Sequence, residues 1–372
     1  MYRSLESIIL DIPTIRPHKM SVATMQQQTL VLVKITDHEG VVGWGEATTI
    51  GGLSYGEESP ESIKTNLDTY FAPILTNLPK QHSGNVAQTM QYIHRNIMGN
   101  RFAKCAVQTA LLDIQGKKLG VPISELLGGR LRDRLPVLWV LASGNTEKDI
   151  AEAKNMIALK RHNTFKLKIG SRSVQEDVDH VVGIKQALGK DISIRVDVNR
   201  AWSERQCLDG IKQLQEGGID LIEQPCAIDD TDLLTRLTQR FDVAIMADEA
   251  VLYPTNAYKL AKRHAAHVFA IKIAQAGGLY EACDIAKIAK YEGIDLYGGT
   301  MLEGPVGTIA SAQAFSTFHN LAAGTELFTP LLLTEEILTT PLTYENFELV
   351  VPNEAGLGIT LDESKIDNLR SA

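Results

Sequence analysis

Long apolar runs are missing from this sequence, and none approaches the ~20 residues that a membrane-spanning helix requires. The N-terminus, MYRSLESIILDIP, lacks the apolar core of a secretory signal. Cysteine is scarce: the four are Cys105, Cys207, Cys226 and Cys283, and no two have C-x-x-C spacing. A chain of 372 residues does not need disulfides to fold. These absences predict a cytosolic protein with reduced thiols and no membrane partner.

An excess of positive charge is also missing. The net charge is −8 and the sequence pI is about 5.7, and basic clusters such as AKRH at 261–264 are short. Because nucleic-acid-binding surfaces need clustered Lys and Arg, this composition excludes a nucleic-acid partner. Hydrophobic residues make up 44% and charged residues 22%, which is ordinary for a globular protein with a large core.

The first third of the chain has the pattern of a separate domain. Three β-type runs, ESIILDIP, TLVLVKITD and VVGWGEA, are followed by helical patterns at about 60–77, 86–98 and 102–118. Strands followed by helices predict an α+β domain over residues 1–130, which ends at the glycines of LLGGRLRDRLP. The whole chain of 372 residues is longer than the limit of about 250–300 residues at which a single core stops growing, so we expect a second domain.

From Pro136 onward, short strands and helices alternate. Eight β candidates are separated by seven helical segments: VLWVLAS, TFKLKIG, ISIRVDVN, DLIEQP, AIMADE, VFAIKI, IDLYGG and AAGTELF. Strict alternation predicts an α/β fold, a modified TIM-type barrel of the (β/α)7β kind over residues 131–340, with the N-terminal domain as its cap. After residue 340, NFELVVP and LGITL predict strands that return to the capping domain within segment 341–372.

Six ionisable residues recur at nearly one interval along the barrel. Separations of 29, 26, 25 and 24 residues join the first five, and the sixth lies 54 residues further on; they are Lys168, Asp197, Glu223, Asp248, Lys272 and Glu326. One strand, one helix and two loops consume about 30 residues in a barrel of ~250 residues. One charged group per unit therefore predicts an active site at the strand ends.

Strand alternation predicts which of these side chains point into the barrel. In ISIRVDVN the residues Ile192, Ile194, Val196 and Val198 form an apolar face, so Asp197 and Asn199 face inward. The same parity places Lys166 and Lys168 inside, opposite Phe165, Leu167 and Ile169, and places Lys272 inside, opposite Phe269, Ile271 and Ile273.

Three of the inward groups are carboxylates on consecutive strands. Asp197, Glu223 and Asp248 supply hard oxygen ligands with no His or Cys nearby, which selects Mg²⁺ or Mn²⁺. Strand-end carboxylates also occur as salt-bridge partners or helix caps, but three in register favour a metal site.

Two lysines lie on opposite sides of this predicted metal site. Lys168 is on the second strand and Lys272 on the sixth, and the like charge of Lys166 would lower the proton affinity of Lys168. With the metal, the three lysines and four carboxylates leave one positive charge, which suits an anionic substrate. The predicted chemistry is proton transfer at the carbon next to a carboxylate.

These residues resemble the enolase superfamily, and within it the muconate-lactonising subgroup. The resemblance covers essentially the whole chain and is carried by six motifs, FKLKIG, VDVN, IEQP, MADE, FAIKIA and GTELF. Further stretches resemble the bacterial muconate-lactonising enzymes: IRPHKM, TMQQQTL, EATTIGGLSYG, LYGGTMLEG and GTELFTPLLLTEEI.

The resemblance implies metal-dependent interconversion of cis,cis-muconate and muconolactone in aromatic degradation, by a homo-oligomer, specifically an octamer. It implies that Asp197, Glu223 and Asp248 bind Mn²⁺ or Mg²⁺, and that Lys168 delivers a proton to an enolate carbon. Lys272 would stabilise charge from the opposite face, and Lys166 and Glu326 would position carboxylates.

The resemblance also implies a lid from the capping domain over the barrel mouth. Its candidate residues run from Ile50 to Tyr55, including Gly51 and Gly52, together with Arg16, His18 and Lys19. With Asn199, these are the candidate contacts for a small dicarboxylate substrate.

Several activities remain open on the same residues. Chloromuconate cycloisomerases differ mainly in lid and pocket residues, and dipeptide epimerases, N-acylamino acid racemases and o-succinylbenzoate synthases use the same pair of lysines. A mandelate-racemase type is disfavoured, because the end of the seventh strand carries LYGGTM where that type needs a histidine. A non-catalytic metal-binding barrel would retain the metal and show no proton exchange.

Overall fold

The fold was analysed in a computed structural model that describes residues 2–20, 23–83 and 85–370. Three sheets are present in these ranges: two of three strands and one of seven. Within these ranges, every helix is too short or too polar to cross a lipid bilayer. Met1, residues 21 and 22, residue 84 and the last two residues of the predicted segment 341–372 lie outside the described residues.

An antiparallel sheet forms the start of the chain. Its strands pair in the order β1–β2–β3, with Leu30 opposite Thr48. A π-helical turn at 67–71 interrupts the predicted helix at 60–77, because Pro73 has no N–H to donate to the preceding turn. The elements are β1 (Tyr2–Lys19), β2 (Thr24–Asp37), β3 (Val42–Thr48), α1 (Pro60–Asn66), α2 (Ala72–Thr76), α3 (Val86–Asn96), α4 (Arg101–Leu119) and α5 (Ile123–Leu126).

The N-terminal sheet packs closely on the long helix α4. A Cβ added to Gly43 would lie 2.1 Å from the carbonyl oxygen of Ala110, and one added to Gly45 would lie 1.9 Å from that of Ala106. Only glycine permits this approach of strand and helix backbones. One face of the sheet is therefore committed to α4, and the other face is available to the barrel.

Seven parallel strands form the main sheet, in the order β11–β10–β9–β8–β7–β6–β5. The elements after α5 are β4 (Arg134–Pro136), β5 (Trp139–Leu141), α6 (Thr146–Ala158), β6 (Thr164–Lys168), α7 (Val174–Leu188), β7 (Ser193–Asp197), α8 (Glu204–Glu216), β8 (Leu221–Glu223), α9 (Thr231–Arg240), β9 (Ala244–Ala247), α10 (Pro254–Lys262), β10 (Val268–Ile271), α11 (Ile273–Ala276), α12 (Leu279–Tyr291), β11 (Asp295–Gly298) and α13 (Pro305–Phe315).

A short segment around Thr325 joins the two edges of the seven-stranded sheet. Thr325 makes parallel bridges both to Gly298 at the end of β11 and to Val137 just before β5. The backbone N–H of Glu326 donates to the Gly298 carbonyl, and the N–H of Leu138 donates to the Thr325 carbonyl. The eighth strand of the predicted barrel is thus reduced to a few residues, and the (β/α)7β architecture is confirmed.

The C-terminal segment differs from its prediction in two ways. NFELVVP supplies a strand, but this strand, β13, pairs with β4 beside the barrel and not with the N-terminal sheet. LGITL forms no strand and makes only an isolated bridge from Leu361 to Leu338. The residue that follows the last helix does reach the N-terminal sheet, through a bridge between Arg370 and Leu10. The final elements are β12 (Tyr344–Glu345), β13 (Glu348–Val350) and α14 (Glu363–Leu369).

The predicted strand faces agree with burial. Ile194, Val196 and Val198 are fully buried between the barrel strands and the surrounding helices, as are Phe165 and Phe269. All four cysteines are buried and free. Because the apolar alternation commits one face of each strand to the helices, the polar residues between them enter the barrel.

Acidification should destabilise the fold through the buried His162. Its imidazole Nδ1 donates to the Val137 carbonyl at 2.8 Å, and burial lowers its pKa from 6.5 to about 4. Between these values the unfolded chain binds a proton that the folded protein does not, so the stabilisation is complete above pH 6.5 and is lost as the pH falls towards 4.

We therefore expect His162→Asn, which keeps a donor for Val137 but cannot titrate, to flatten the dependence of unfolding free energy on pH in that window. The difference in slope should approach 1.4 kcal/mol per pH unit at most, a rough upper bound for one proton. Urea unfolding of both proteins from pH 4 to pH 7.5 measures it. Equal slopes would show that His162 titrates alike in both states.

Candidate active site

A cavity lies at the carboxyl ends of the barrel strands, under residues of the N-terminal sheet and its loops. Its empty volume is about 340 Å³, counted with its mouth. The position matches that of active sites in (β/α) barrels, where the loops after the strands supply the functional groups. It is lined by His18, Met20, Ile50, Tyr55, Lys168, Asn199, Lys272, Thr300, Leu302 and Glu326.

A row of buried acids lies beneath this cavity. The strand register aligns Lys168 with Asp197 and Asp197 with Glu223, and Asp248 directly follows β9 on the next strand. The side chains of Asp197 and Asp248 are fully buried, and that of Glu223 is 1% exposed. The sequence prediction that these acids end three consecutive strands agrees with this geometry.

Each acid of the row is bonded to a lysine. Lys168 Nζ donates to Asp197 Oδ2 at 2.5 Å, and Lys272 Nζ donates to Asp248 Oδ2 at 2.6 Å. Burial alone would raise the pKa of Asp197, but the charges of Lys168 and Lys166 outweigh it and lower that pKa. The two lysines therefore stand at opposite ends of the acidic row, each with its ammonium group beside the cavity.

Lys166 is a buried cation between two acids. Its Nζ donates to Glu223 Oε2 at 2.8 Å and to Glu326 Oε2 at 2.6 Å. Burial opposes its charge, yet Glu223 and Glu326 raise its pKa well above the usual value. Lys166 is therefore a fixed positive charge rather than a proton donor, and it links Glu326 to the acidic row.

Tyr55 connects the N-terminal loop to the far side of the site. Its hydroxyl donates to Asp248 Oδ2 at 2.8 Å and accepts from Lys272 Nζ at 2.7 Å. The loop can turn towards the barrel because Gly51 and Gly52 have φ values of +60° and +65°, which favour glycine. The predicted lid segment Ile50 to Tyr55 thus reaches the cavity at both of its ends.

The acidic row fits a divalent cation by its chemistry, although its acids are not grouped around one point. In the described ranges, no cluster of three or more His, Cys, Asp or Glu side chains is arranged as a metal site. Two observations favour a cation there. Asp248 Oδ1 is buried without a hydrogen-bond partner, and burial together with the charge of Asp197 raises the pKa of Glu223 well above its usual value. A hard cation bound there would give Asp248 Oδ1 a partner and would stabilise the charged form of Glu223.

His18 is the lid candidate that lines the cavity from the first strand. The residue is completely buried, and neither ring nitrogen has a hydrogen-bond partner among the described residues. Burial and the charge of Arg16 lower its pKa to about 3, so the imidazole is neutral at physiological pH. Its ring lies 6.1 Å from that of Phe328.

Two other candidates of the same strand lie elsewhere. Arg16 does not line the cavity: its guanidinium binds Glu152 at 2.9 Å and lies over the Trp139 ring, 5.9 Å from its centroid. Lys19 lines a neighbouring pocket that it shares with Lys168. A register shift between Pro13 and His18 makes the pairing of β1 with β2 irregular in this stretch.

Asn199 supports the acidic row as well as lining the cavity. Its side-chain amide donates to Asp197 Oδ2 at 3.0 Å and to Glu249 Oε1 at 3.3 Å. Glu249 was missed in the sequence, although it directly follows Asp248. Burial and the charge of Asp248 raise its pKa to about 8, and Arg200 lies 3.2 Å from its carboxylate.

Sequence reasoning missed further groups around the cavity, among them Met20, which directly follows β1. The hydroxyl of Tyr297 donates to Glu326 Oε2 at 3.1 Å, and strand parity in IDLYGG could have identified this residue. Thr300 and Leu302 line the cavity from the loop after β11, where no periodic pattern distinguishes the side chains. The arrangement as a whole combines ammonium groups on two sides of an acidic row inside a nearly closed space.

Comparison with known proteins relates both parts of the chain to one family. Residues 5–128 match the "Mandelate racemase / muconate lactonizing enzyme, N-terminal domain" model, and residues 148–365 match the "Enolase C-terminal domain-like" model. Muconate cycloisomerase 1 of Acinetobacter baylyi is 70% identical over 370 residues, covering 100% of both chains. Chloromuconate cycloisomerase of Cupriavidus pinatubonensis is 41% identical over 363 residues, covering 98% of this chain and 97% of that one.

Solved structures agree with the sequence comparison. Muconate lactonizing enzyme from Pseudomonas fluorescens, complexed with muconolactone, superposes with a TM-score of 0.96 at 52% identity. The match covers 100% of this chain and 99% of that one.

Proposed function

We propose, since the chain belongs to the mandelate racemase/muconate lactonizing enzyme family, that it interconverts cis,cis-muconate and muconolactone. It is an isomerase of the cycloisomerase type. The observation that supports the mechanism is the pair of ammonium groups, Lys168 and Lys272, at opposite ends of one buried acidic row beneath a single cavity. Such a pair can act on both faces of a flat, anionic intermediate.

The family implies dependence on a divalent metal ion, and Asp197, Glu223 and Asp248 are the residues that would hold it. Among divalent ions, three carboxylates favour Mn²⁺ or Mg²⁺. When bound, the ion supplies positive charge that stabilises an enolate. Asn199, through its bonds to Asp197 and Glu249, fixes the orientation of the acidic row.

In the lactonising direction, one substrate carboxylate adds to the diene and forms a C–O bond. The electron pair of the attacked double bond moves towards the carbon next to the other carboxylate, which becomes an enolate. The ammonium group of Lys168 gives a proton to that carbon and regains one from water. Lys272, held by Asp248 and Tyr55, stabilises the charge from the opposite side.

Other residues keep the site charged and closed. Lys166 remains protonated between Glu223 and Glu326, so Glu326 lies against a permanent cation at the cavity wall. Ile50 and Tyr55 cover the mouth as a lid, and neutral His18 faces the substrate with a free N–H. We further propose that the protein is cytoplasmic and that it forms a homo-oligomer, an octamer by family resemblance. Its substrate is a small dicarboxylate.

Between the two candidate substrates, we favour muconate over chloromuconate, because the muconate cycloisomerase relative is 70% identical to this chain and the chloromuconate cycloisomerase relative 41%. Epimerase, racemase and o-succinylbenzoate synthase activities use the same lysine pair. The empty volume of about 340 Å³, counted with the mouth, suits a short, flat dianion rather than a dipeptide.

The proposal predicts loss of the ultraviolet absorbance of the diene when the protein and Mn²⁺ are mixed with cis,cis-muconate. Chloromuconates and a dipeptide panel, assayed in parallel, distinguish the alternatives. A matched sample treated with a chelator controls for the metal. No loss of absorbance at saturating Mn²⁺ would refute the proposal, and epimerisation of a dipeptide at a higher kcat/KM would replace it.

A further inference from the structure

The two faces of the N-terminal sheet have different partners. Gly43 and Gly45 face α4, so the alternate residues of β3, Glu46 and Thr48, face the barrel. Thr48 is paired with Leu30 on β2, and Gln28 lies two residues before Leu30 on the same face. Gln28, Glu46 and Thr48 are all buried, with exposed fractions of 1%, 3% and 0%.

These three residues bind one loop of the barrel. Loop 299–304 joins β11 to α13, and its residues Thr300 and Leu302 line the active-site cavity. Gln28 Nε2 donates to the Leu302 carbonyl at 2.8 Å and to the Met301 carbonyl at 3.3 Å. Thr48 Oγ1 donates to the same Met301 carbonyl at 3.1 Å.

Glu46 fixes the far end of the loop. Its carboxylate accepts from the backbone N–H of Gly304 at 2.5 Å and of Gly307 at 2.9 Å, at the N-terminus of α13. A Cβ on Gly304 would lie 2.5 Å from Leu30 Cδ1, so the sheet and loop are in direct contact. The side chains therefore satisfy backbone groups on both sides of Glu303, the carbonyls of Met301 and Leu302 before it and the N–H groups of Gly304 and Gly307 after it.

The loop needs such support because its conformation is unusual. Leu302 has a φ of +60°, a region that residues other than glycine occupy only where the surroundings hold them there. Inside the loop, Thr300 donates to the Glu303 carboxylate, and Met301 N–H donates to the same carboxylate at 2.9 Å. Internal bonds fold the loop, and the bonds from the sheet determine where it lies relative to the cavity.

We propose that Gln28, Glu46 and Thr48, here called the loop clamp, are positioning residues that hold Thr300 and Leu302 in the cavity wall and thereby determine which muconates fit. The clamp touches no reacting atom and acts only through the loop. The choice of substrates in its test rests on the proposed function, whereas the loop contacts do not.

Two substitutions remove clamp donors without adding bulk. Thr48→Val removes the hydroxyl at nearly constant volume, and Thr48→Ser restores it. Gln28→Met removes the amide. The matched control is Gln108→Met, because Gln108 is also fully buried and joins the N-terminal helix α4 to the barrel, with Tyr280 N–H donating to its Oε1 at 3.0 Å. Gln108 does not line the cavity.

The expected result is a change in the ratio of kcat/KM for 3-chloromuconate to kcat/KM for muconate. Thr48→Val and Gln28→Met should shift it by about threefold to tenfold, the change that one hydrogen bond commonly carries. Thr48→Ser and Gln108→Met should stay within about twofold of the wild type. The ratio is independent of the fraction of folded enzyme, so lower stability alone cannot move it.

Hydrogen exchange of the peptide that contains residues 299–304 gives a second readout that needs no substrate. Exchange should accelerate in Thr48→Val and Gln28→Met, and remain unchanged in Gln108→Met. If wild-type enzyme consumes muconate but neither the ratio nor the exchange changes, the clamp proposal is wrong. If the wild-type enzyme consumes neither muconate nor 3-chloromuconate, the proposed function is wrong. Hydrogen exchange at residues 299–304 then tests the clamp proposal by itself.

Discussion

Lys168→Ala is expected to lower the turnover of cis,cis-muconate by about 10²-fold to 10⁴-fold, the usual worth of a positioned acid or base. The ammonium group of Lys168 lies at the cavity wall, whereas Lys166 is enclosed between Glu223 and Glu326 and cannot replace it. Stopped-flow measurement of diene loss at saturating substrate and Mn²⁺ gives the change in kcat.

A second substitution separates proton delivery from the orientation of Asp197. Lys168 also binds Asp197 at 2.5 Å, so alanine removes both a proton donor and a neighbour of the acidic row. Lys168→Gln can keep a hydrogen bond to Asp197 but has no acidic proton, and it should lose as much activity as alanine.

The surface substitution Lys212→Ala, at a side chain 68% exposed, should leave turnover unchanged. Calorimetric titration should show that the Lys168 variants still bind Mn²⁺. Activity near the wild-type level in either variant would mean that another group delivers the proton.

The barrel could be predicted from sequence because its periodicity is dictated by geometry. Each strand of the barrel buries one face against helices, so alternation in ISIRVDVN and FKLKIG determined which residues point inward. The eighth strand was harder to delimit, since only residues around Thr325 bridge the sheet edges. The pairing of β13 with β4 was missed because both are three-residue strands with no distinctive pattern.

Site residues on strands were easier to find than those on loops. Lys168, Asp197 and Glu223 end regular strands, whereas Thr300 and Leu302 lie on a loop whose path depends on a left-handed residue. The contacts of the loop clamp could not be predicted from the sequence, for a different reason. Alternation groups Gln28 with Leu30 and Glu46 with Thr48, but it does not say which face of the sheet meets the barrel.

Arg16 illustrates the limit of simple alternation. It shares parity with His18, which suggests one lid surface for both residues. Burial along β1 keeps that parity, since Arg16 and His18 are both less exposed than Ile15, Pro17 and Lys19. The longer side chain of Arg16 nevertheless extends to Glu152 and Trp139. Shared parity therefore predicts a shared side of the strand, but it does not predict which partner a long side chain reaches.

Asp248→Asn is expected to weaken Mn²⁺ binding by more than the ~10-fold to 100-fold that loss of an outer partner of a metal ligand costs. The substitution removes one negative charge from the acidic row, where Asp248 Oδ1 is buried without a hydrogen-bond partner. Turnover should fall by at least about 10²-fold at a fixed, moderate metal concentration, because charge stabilisation is a major part of such catalysis. Chelator treatment of wild-type enzyme should reproduce that loss, and added Mn²⁺ or Mg²⁺ should reverse it.

The matched control is Asp295→Asn, the same chemical change at the opposite end of a barrel strand, where Asp295 Oδ1 accepts a hydrogen bond from Asn320 at 2.5 Å. It should leave Mn²⁺ affinity unchanged, because it lies far along the strand from the cavity. Direct titration of Mn²⁺ by paramagnetic resonance separates the loss of metal binding from the loss of activity. If Asp248→Asn bound Mn²⁺ with wild-type affinity, Asp248 would not be a metal ligand. A buried carboxylate that binds a cation cannot lose its charge without weakening the binding of that cation.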